Sequence, residues 1–204
     1  MGHKCFISYK KEDQWYRNQL DTLLLQTDLI NKGLDKTIDS FDGDYIMKSI
    51  RENYLQDSTV TIFMIGLHSS ENEGVDIYGR KKNYFIQREL QASLYNGIGN
   101  TRNGILGVVL PEMYDEIFRP SYRCPVCGNI HQHVALNDST VIREFSENYF
   151  ITPHDGCAWS EDERYCVLTK WNAFIEQPAY YVEQAFFKRS SEIASKVTVR
   201  VNRN

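Results

Sequence analysis

A basic excess is absent from this chain. Its 204 residues carry 23 lysines and arginines against 27 aspartates and glutamates, a formal net charge of −4. A protein that grips phosphates needs a surplus or a clustered face of positive charge, so nucleic acid is not an expected partner. Long hydrophobic runs are lacking too. The longest apolar run near the start is one strand in length, which predicts neither a signal peptide nor a membrane span. Met1-Gly2 is not followed by the Ser or Thr that a myristoylation signal wants at position six; Phe6 stands there. Repeats and low-complexity tracts are missing. Cysteine is sparse and odd in number, five in all. With no export signal expected, that points to a reducing cytoplasm, with thiols free or on metal. What is present suffices for a packed core: 42% of residues are hydrophobic and 25% charged. The length allows one large domain, or one domain with an insertion.

Read along the chain, Cys5, Phe6 and Ile7 form a first strand that ends in a polar turn at Ser8-Tyr9. Asp13 can cap the helix that follows, in which Tyr16, Leu20, Leu23 and Leu24 recur at spacings of three and four. Asn31-Lys32-Gly33 is expected to end that helix, and Thr37-Ile38-Asp39 to form a second strand. Asp42-Gly43-Asp44 reads as a turn and a cap for a helix carrying Ile46, Ile50 and Tyr54. Val60 to Leu67 is nearly all apolar, the mark of a strand buried on both faces. A polar loop, a helix from about Tyr84 to Asn96 stopped by Gly97, and a buried strand from Gly104 to Leu110 follow. This alternation predicts an α/β doubly wound sheet of mainly parallel strands with flanking helices.

The alternation is lost after Pro111. Residues from 112 to about 165 are rich in Pro, Cys, His, Asn and Asp, and only Thr140 to Tyr149 looks helical. The expectation is a single domain over 1–204, with a core of 4–111 and 166–204 and an insertion of about 112–165. Tyr165 to Trp171 reads as a late strand, Pro178 to Ile193 as a helix with Pro in its first turn, and Val197 to Val201 as a terminal strand. Within the insertion, Cys124-Pro125-Val126-Cys127-Gly128 is a knuckle whose two thiolates can grip one zinc, with Gly relieving the turn. A structural site needs two more ligands. His154 and Cys157 offer a second close pair, with His131 and His133 as competitors. The alternative is a set of free thiols in a small subdomain. Cys5 and Cys166 sit among apolar residues and are expected in the core.

Phe6-Ile7-Ser8-Tyr9 followed by Asp13 resembles the first sequence box of Toll/interleukin receptor (TIR) domains. Ile38-Asp39-Ser40 resembles the second strand and its acidic exit, and Ser58 to Gly66 the third strand. Phe85-Ile86-Gln87-Arg88-Glu89-Leu90 resembles the helix that carries the glutamate of the enzymatic members. The four matches run in register over residues 4 to about 110. Bacterial TIR-like proteins, the TIR component of the Thoeris antiphage system among them, are similar in size and in having a long tail after the fourth strand. The resemblance implies a flavodoxin-like sheet of the TIR type. It also implies cleavage of NAD at the nicotinamide–ribose bond, and a cyclic ADP-ribose signal that reaches a separate effector. One position departs from the family motif: Phe85 stands where Trp is usual, which keeps an aromatic wall and loses the indole N–H donor.

The chemistry asked of such a site is modest. Nicotinamide leaves as a neutral base, so no general acid is required, and the barrier lies in positive charge on the ribose. A fixed carboxylate stabilises that charge and can hold ribose hydroxyls. The resemblance assigns this to Glu89, whose plain alternative is a solvated helix carboxylate paired with Arg88 or Lys82. Phe6, Ser8, Tyr9, Asp39 and Phe85 are the candidate substrate contacts. Phe6 is equally readable as core, Ser8 as a turn residue and Asp39 as a cap. Lys10 and Lys11 can attract pyrophosphate or simply be solvated. No cofactor beyond the substrate NAD is expected, apart from the zinc. The rival reading is a non-enzymatic signalling module that works by self-association, and a third is a sensor that binds a nucleotide without cleaving it.

Overall fold

The computed structural model describes residues 2–25, 30–33, 40, 42–77, 79, 81–97 and 100–202. The first strand, β1 (Lys4–Ser8), leads through a 3-10 turn at Lys11–Asp13 into α1 (Gln14–Leu25). Then come β2 (Ile30–Gly33), α2 (Gly43–Ile50) with a π-helical turn at Arg51–Leu55, β3 (Val60–Ile65), α3 (Tyr84–Leu94) and β4 (Gly104–Val109). A short α4 (Tyr114–Ile117) precedes the strands β5 (Phe118–Arg123) and β6 (Ile130–Val134), and α5 (Arg143–Tyr149) follows them. The chain closes with β7 (Val167–Lys170), α6 (Trp171–Glu176) and α7 (Pro178–Lys188).

Five strands lie side by side in the order β2-β1-β3-β4-β7, every neighbouring pair parallel. This is the flavodoxin-like arrangement, with helices on the two faces of the sheet. β3 and β4 are buried at every position, as their unbroken apolarity requires. The late strand expected within Tyr165 to Trp171 is there as β7, in parallel register with β4.

Alternation along β1 sorts its side chains between the two faces. Cys5 and Ile7 pack with Leu20 and Leu24 of α1 and with Trp171, Phe174 and Val182. Phe6 packs the other way, with Ile46 and Ile50 of α2, Leu55 and Ala92. A third cluster joins β3 and β4 to the expected stripe Ile86, Leu90 and Leu94 of α3, and to Val141, Ile142, Phe145 and Tyr149 from the stretch after Pro111. Burial raises the Cys5 thiol to about 12 and pushes Cys166 well up, as core cysteines should behave.

Several sequence expectations shift. The second strand lies at Ile30–Gly33, where the end of α1 was expected, and Thr37-Ile38-Asp39 falls outside the described residues. α3 stops at Leu94, before Gly97, because Arg102 Nε (2.7 Å) and Asn100 Nδ2 (2.9 Å) take up the carbonyls of Leu94 and Tyr95. Pro178 opens α7 as expected, but the helix ends at Lys188, and Glu192–Lys196 form a separate 3-10 turn. Val197 to Val201 forms no strand. Its alternation is real, since Val197 and Val199 pack on the core and Val201 is buried. Its backbone turns elsewhere for partners: Asn148 Oδ1 accepts from the Thr198 N–H at 2.9 Å, and Asn148 Nδ2 donates to the Thr198 carbonyl at 2.8 Å.

Candidate active site

In a sheet ordered this way, the chain crosses in opposite directions on leaving β1 and β3, and a crevice opens beyond their carboxyl ends. Ser8 is the last residue of β1, pointing to the same face as Phe6. There α3 lies across it, and the Ser8 hydroxyl donates to Glu89 Oε2 at 2.6 Å. Both groups are out of solvent, Ser8 wholly and Glu89 with 8% exposed. The solvated pairing of Glu89 with Arg88 or Lys82 is therefore not found. Arg88 instead donates to Gln91 Oε1 (2.6 Å) and stands over the Tyr84 ring. The Lys82 carbonyl accepts from Lys10 Nζ at 3.1 Å, which ties the β1 turn to the entrance of α3. Burial raises the Glu89 carboxyl to about 7, against the opposing pull of the Ser8 hydroxyl. An acid of that strength shares its proton near neutrality.

Polar contacts hold α3 in place. Gln87 Nε2 donates to both oxygens of Glu71 at 3.1 Å, and Lys81 Nζ reaches Glu71 at 3.0 Å. Gln91 Nε2 donates to the buried Glu144 of α5 at 2.6 Å. The loop before α3 and the helix α5 thus fix the rotation that turns Glu89 toward β1. These supports went unmarked in the sequence, because a buried Gln–Glu pair has no spacing signature.

The candidate substrate contacts separate into three groups. Ser8 and Phe85 lie with Glu89 on the α3 side of the sheet. Phe85 is one helical turn before Glu89 and half-buried, edge-on to Tyr84 with centroids 5.8 Å apart. Phe6 is 0% exposed and fills the core between α2 and α3, so it has no open surface with which to meet a substrate. Tyr9 follows the strand alternation to the opposite face, where it packs on the α1 cluster and its hydroxyl donates to Gln14 at 2.9 Å. Asp39 lies outside the described residues.

A second buried carboxyl stands at the same end of the sheet. Asp13 is 5% exposed, and its Oδ2 has no hydrogen-bond partner among the described residues. It occupies the space beside Gly66, just beyond β3, where a Cβ would come within 2.5 Å of its Oδ1. Burial first, and then the charge of Glu112, raises Asp13 to about 6. Its place in the first sequence box was legible; its burial against a glycine was not.

The cysteines and histidines of the insertion also gather. Sγ of Cys124, Cys127 and Cys157 and a ring nitrogen of His131 lie within 4.8 Å of one another. His131, not His154, joins the three cysteines. His154 stacks on Trp159, centroids 3.7 Å apart, with Glu163 at 3.9 Å.

A parallel sheet in flavodoxin-like order with flanking helices is the frame of a TIR-like α/β domain. The model of the family described as Thoeris protein ThsB, TIR-like domain, matches residues 6–114, and the chain belongs to that family. No curated protein matches it. Among the described residues, no helix is long and apolar enough to cross a membrane.

Proposed function

We propose that this chain is an NAD-consuming enzyme of antiphage defence, cleaving the nicotinamide–ribose bond with Glu89 and closing the ADP-ribose product into a cyclic signal for a separate effector. The observation that carries this reading is the buried Ser8–Glu89 pair at the carboxyl end of β1. Ionised Glu89 stabilises the positive charge that grows on the ribose as the C–N bond breaks and its electron pair leaves with nicotinamide. Low dielectric around a buried carboxylate strengthens that attraction. In the second half of the reaction, a hydroxyl or ring nitrogen of the substrate itself bonds to the ribose carbon, so no protein nucleophile is needed. When the nucleophile is a hydroxyl its proton must leave, and an acid titrating near 7 is matched to accept it. Ser8 orients the carboxylate, and Phe85 offers an aromatic wall beside it.

The test is mass spectrometry of nicotinamide and ADP-ribose products in lysate of phage-infected cells expressing wild type or Glu89→Gln. The expected result is product from wild type only, at equal levels of folded protein, with turnover in Glu89→Gln lower by about a hundredfold or more. Product masses separate the cyclic from the linear nucleotide. Equal signals from the two would reject the enzyme in favour of a signalling module that works by association. Saturable nucleotide binding without nicotinamide release would favour a sensor.

A further inference from the structure

The strands β5 and β6 form a two-stranded antiparallel hairpin apart from the main sheet. Its base is anchored: Phe118 and Val134 pack on the core, and the Ala135 N–H donates to the Ile117 carbonyl at 2.8 Å. Beyond that base its residues are mostly exposed, Tyr122 and Ile130 among them. An isolated hairpin of this kind is marginal in water, because it has no apolar face to bury. Something other than hydrophobic burial must hold its far end.

The far end is the knuckle. The Cys124 N–H donates to the Asn129 carbonyl at 2.8 Å, and the Gly128 N–H to the Cys124 carbonyl at 2.9 Å. Gly128 takes φ +73°, a left-handed conformation that suits glycine. This tight turn brings the thiols of Cys124 and Cys127 together on one side. From the next strand, His131 places Nε2 3.1 Å from Cys127 Sγ. From the 150–160 loop, Cys157 places its Sγ 3.2 Å from the same nitrogen. Three thiols and one imidazole thus converge from three segments of the chain.

We infer that Cys124, Cys127, His131 and Cys157 form a structural zinc site that clamps the tip of the β5–β6 hairpin to the 150–160 loop. The chemistry of the set selects the ion. Three soft thiolates and one imidazole in a compact group suit tetrahedral zinc, whose ligand atoms sit about 3.8 Å apart when bound. All four positions are filled by protein, so no coordination site is open to substrate, and the role is structural. On binding, each thiol gives its proton to solvent and its sulfur lone pair to the metal. No oxidant takes part. A disulfide is the competing use of the same thiols, and all five cysteines are free here.

The experiment is metal analysis of the full chain purified without chelator, with Co(II) replacement as an independent readout. Wild type is expected to carry one zinc per chain, released by a thiol-blocking mercurial. Its Co(II) form should show the visible bands of a tetrahedral sulfur-rich site. Cys157→Ser and His131→Ala should each weaken zinc binding by more than about tenfold, since even residues that only support a ligand cost that much. His154→Ala should keep the full zinc content. Two results would overturn the site: a fully reduced wild type with neither zinc nor a tetrahedral Co(II) spectrum, or a disulfide among these cysteines by mass spectrometry. Loss of zinc in His154→Ala with retention in His131→Ala would overturn the ligand set. A cysteine variant that fails to fold decides nothing by itself, and the Co(II) spectrum of wild type then carries the test.

Discussion

The sheet and the β5–β6 hairpin differ in how much of themselves they bury. β3 and β4 have every residue buried and lie in the middle of five parallel strands. The hairpin has few buried residues beyond its base, and its tip meets a group of three thiols and one imidazole. A strand buried on both faces draws its stability from apolar area and tight fit, so it is sensitive to volume. A solvated hairpin draws it from cross-links, so it is sensitive to ligand chemistry and indifferent to volume. The same substitution should therefore read very differently in the two regions.

The largest expected effect comes from Gly104→Ala at the start of β4. A Cβ there collides with the backbone carbonyl of Ala185 in α7, and backbone cannot rotate aside as a side chain can. A loss of more than about 3 kcal/mol is expected, seen as an insoluble chain or a collapsed urea midpoint. Gly128→Ala in the hairpin meets no neighbouring atom, and its cost comes only from the positive φ. A mild Gly104→Ala would break the contrast between the regions.

Phe145→Ala comes next. Phe145 of α5 is wholly buried and lies 5.6 Å from Phe63 of β3 between ring centroids, tilted against it. Its tip fills the space left by the missing side chain of Gly107. A loss of about 3–5 kcal/mol is expected in denaturant unfolding. This sharpens the comparison, because α5 and the hairpin lie in the same stretch after Pro111. By this measure α5 belongs with the sheet.

Glu89→Gln should have a smaller effect on stability, and one of unusual sign. Its folded-state carboxyl is raised to about 7 from the ordinary 4.5, so the folded protein holds this proton more tightly than the unfolded chain does. Ionisation then favours the unfolded state. Stability is lost as pH rises from about 4.5, and the full penalty, about 3 kcal/mol at most, is present above 7. Gln cannot ionise and still accepts from Ser8. The variant should melt higher than wild type at pH 8, by up to ~10 °C, and alike at pH 4.5. Equal melting at both would mean that Glu89 is better solvated than its burial indicates.

The two regions were also unequally legible in the sequence. Val60 to Leu67 and Gly104 to Leu110 announced buried strands through unbroken apolarity, and the stripe Ile86, Leu90, Leu94 gave the inner face of α3. β2 was missed because Ile30-Asn31-Lys32-Gly33 holds one apolar residue in a four-residue edge strand, and its neighbour Thr37-Ile38-Asp39 has the better pattern. Val197 to Val201 alternates as a strand does, yet the hydrogen bonds that would decide the matter go to Asn148, which sequence cannot show. At the candidate site, Glu89 was visible through its box. The separation of Tyr9 from Ser8 followed from strand alternation and could have been read. In the insertion, the CxxC half of the cluster was legible. The choice between His131 and His154 was not, because it depends on which histidine the hairpin and the 150–160 loop bring to Cys157.

The smallest global effect is expected from removing metal, and it is the sharpest probe of the difference between the regions. If zinc clamps only the hairpin tip, a strong chelator frees a segment whose apolar residues were already largely in water. Little buried area is then lost, and cooperative melting of the sheet should move by only a few degrees. The hairpin itself should open. Amide exchange over Ile130–Val134 should accelerate by orders of magnitude, while Val60–Ile65 and Gly104–Val109 keep their protection, because local opening and global unfolding are separate equilibria. Exchange measured by mass spectrometry before and after chelation resolves the two segments in one experiment. Uniform acceleration across both would mean that the cluster supports the whole core, and that the contrast between a self-sufficient sheet and a stapled hairpin is wrong. No acceleration in either would leave the hairpin held by its base alone, through Ile117, Phe118 and Val134.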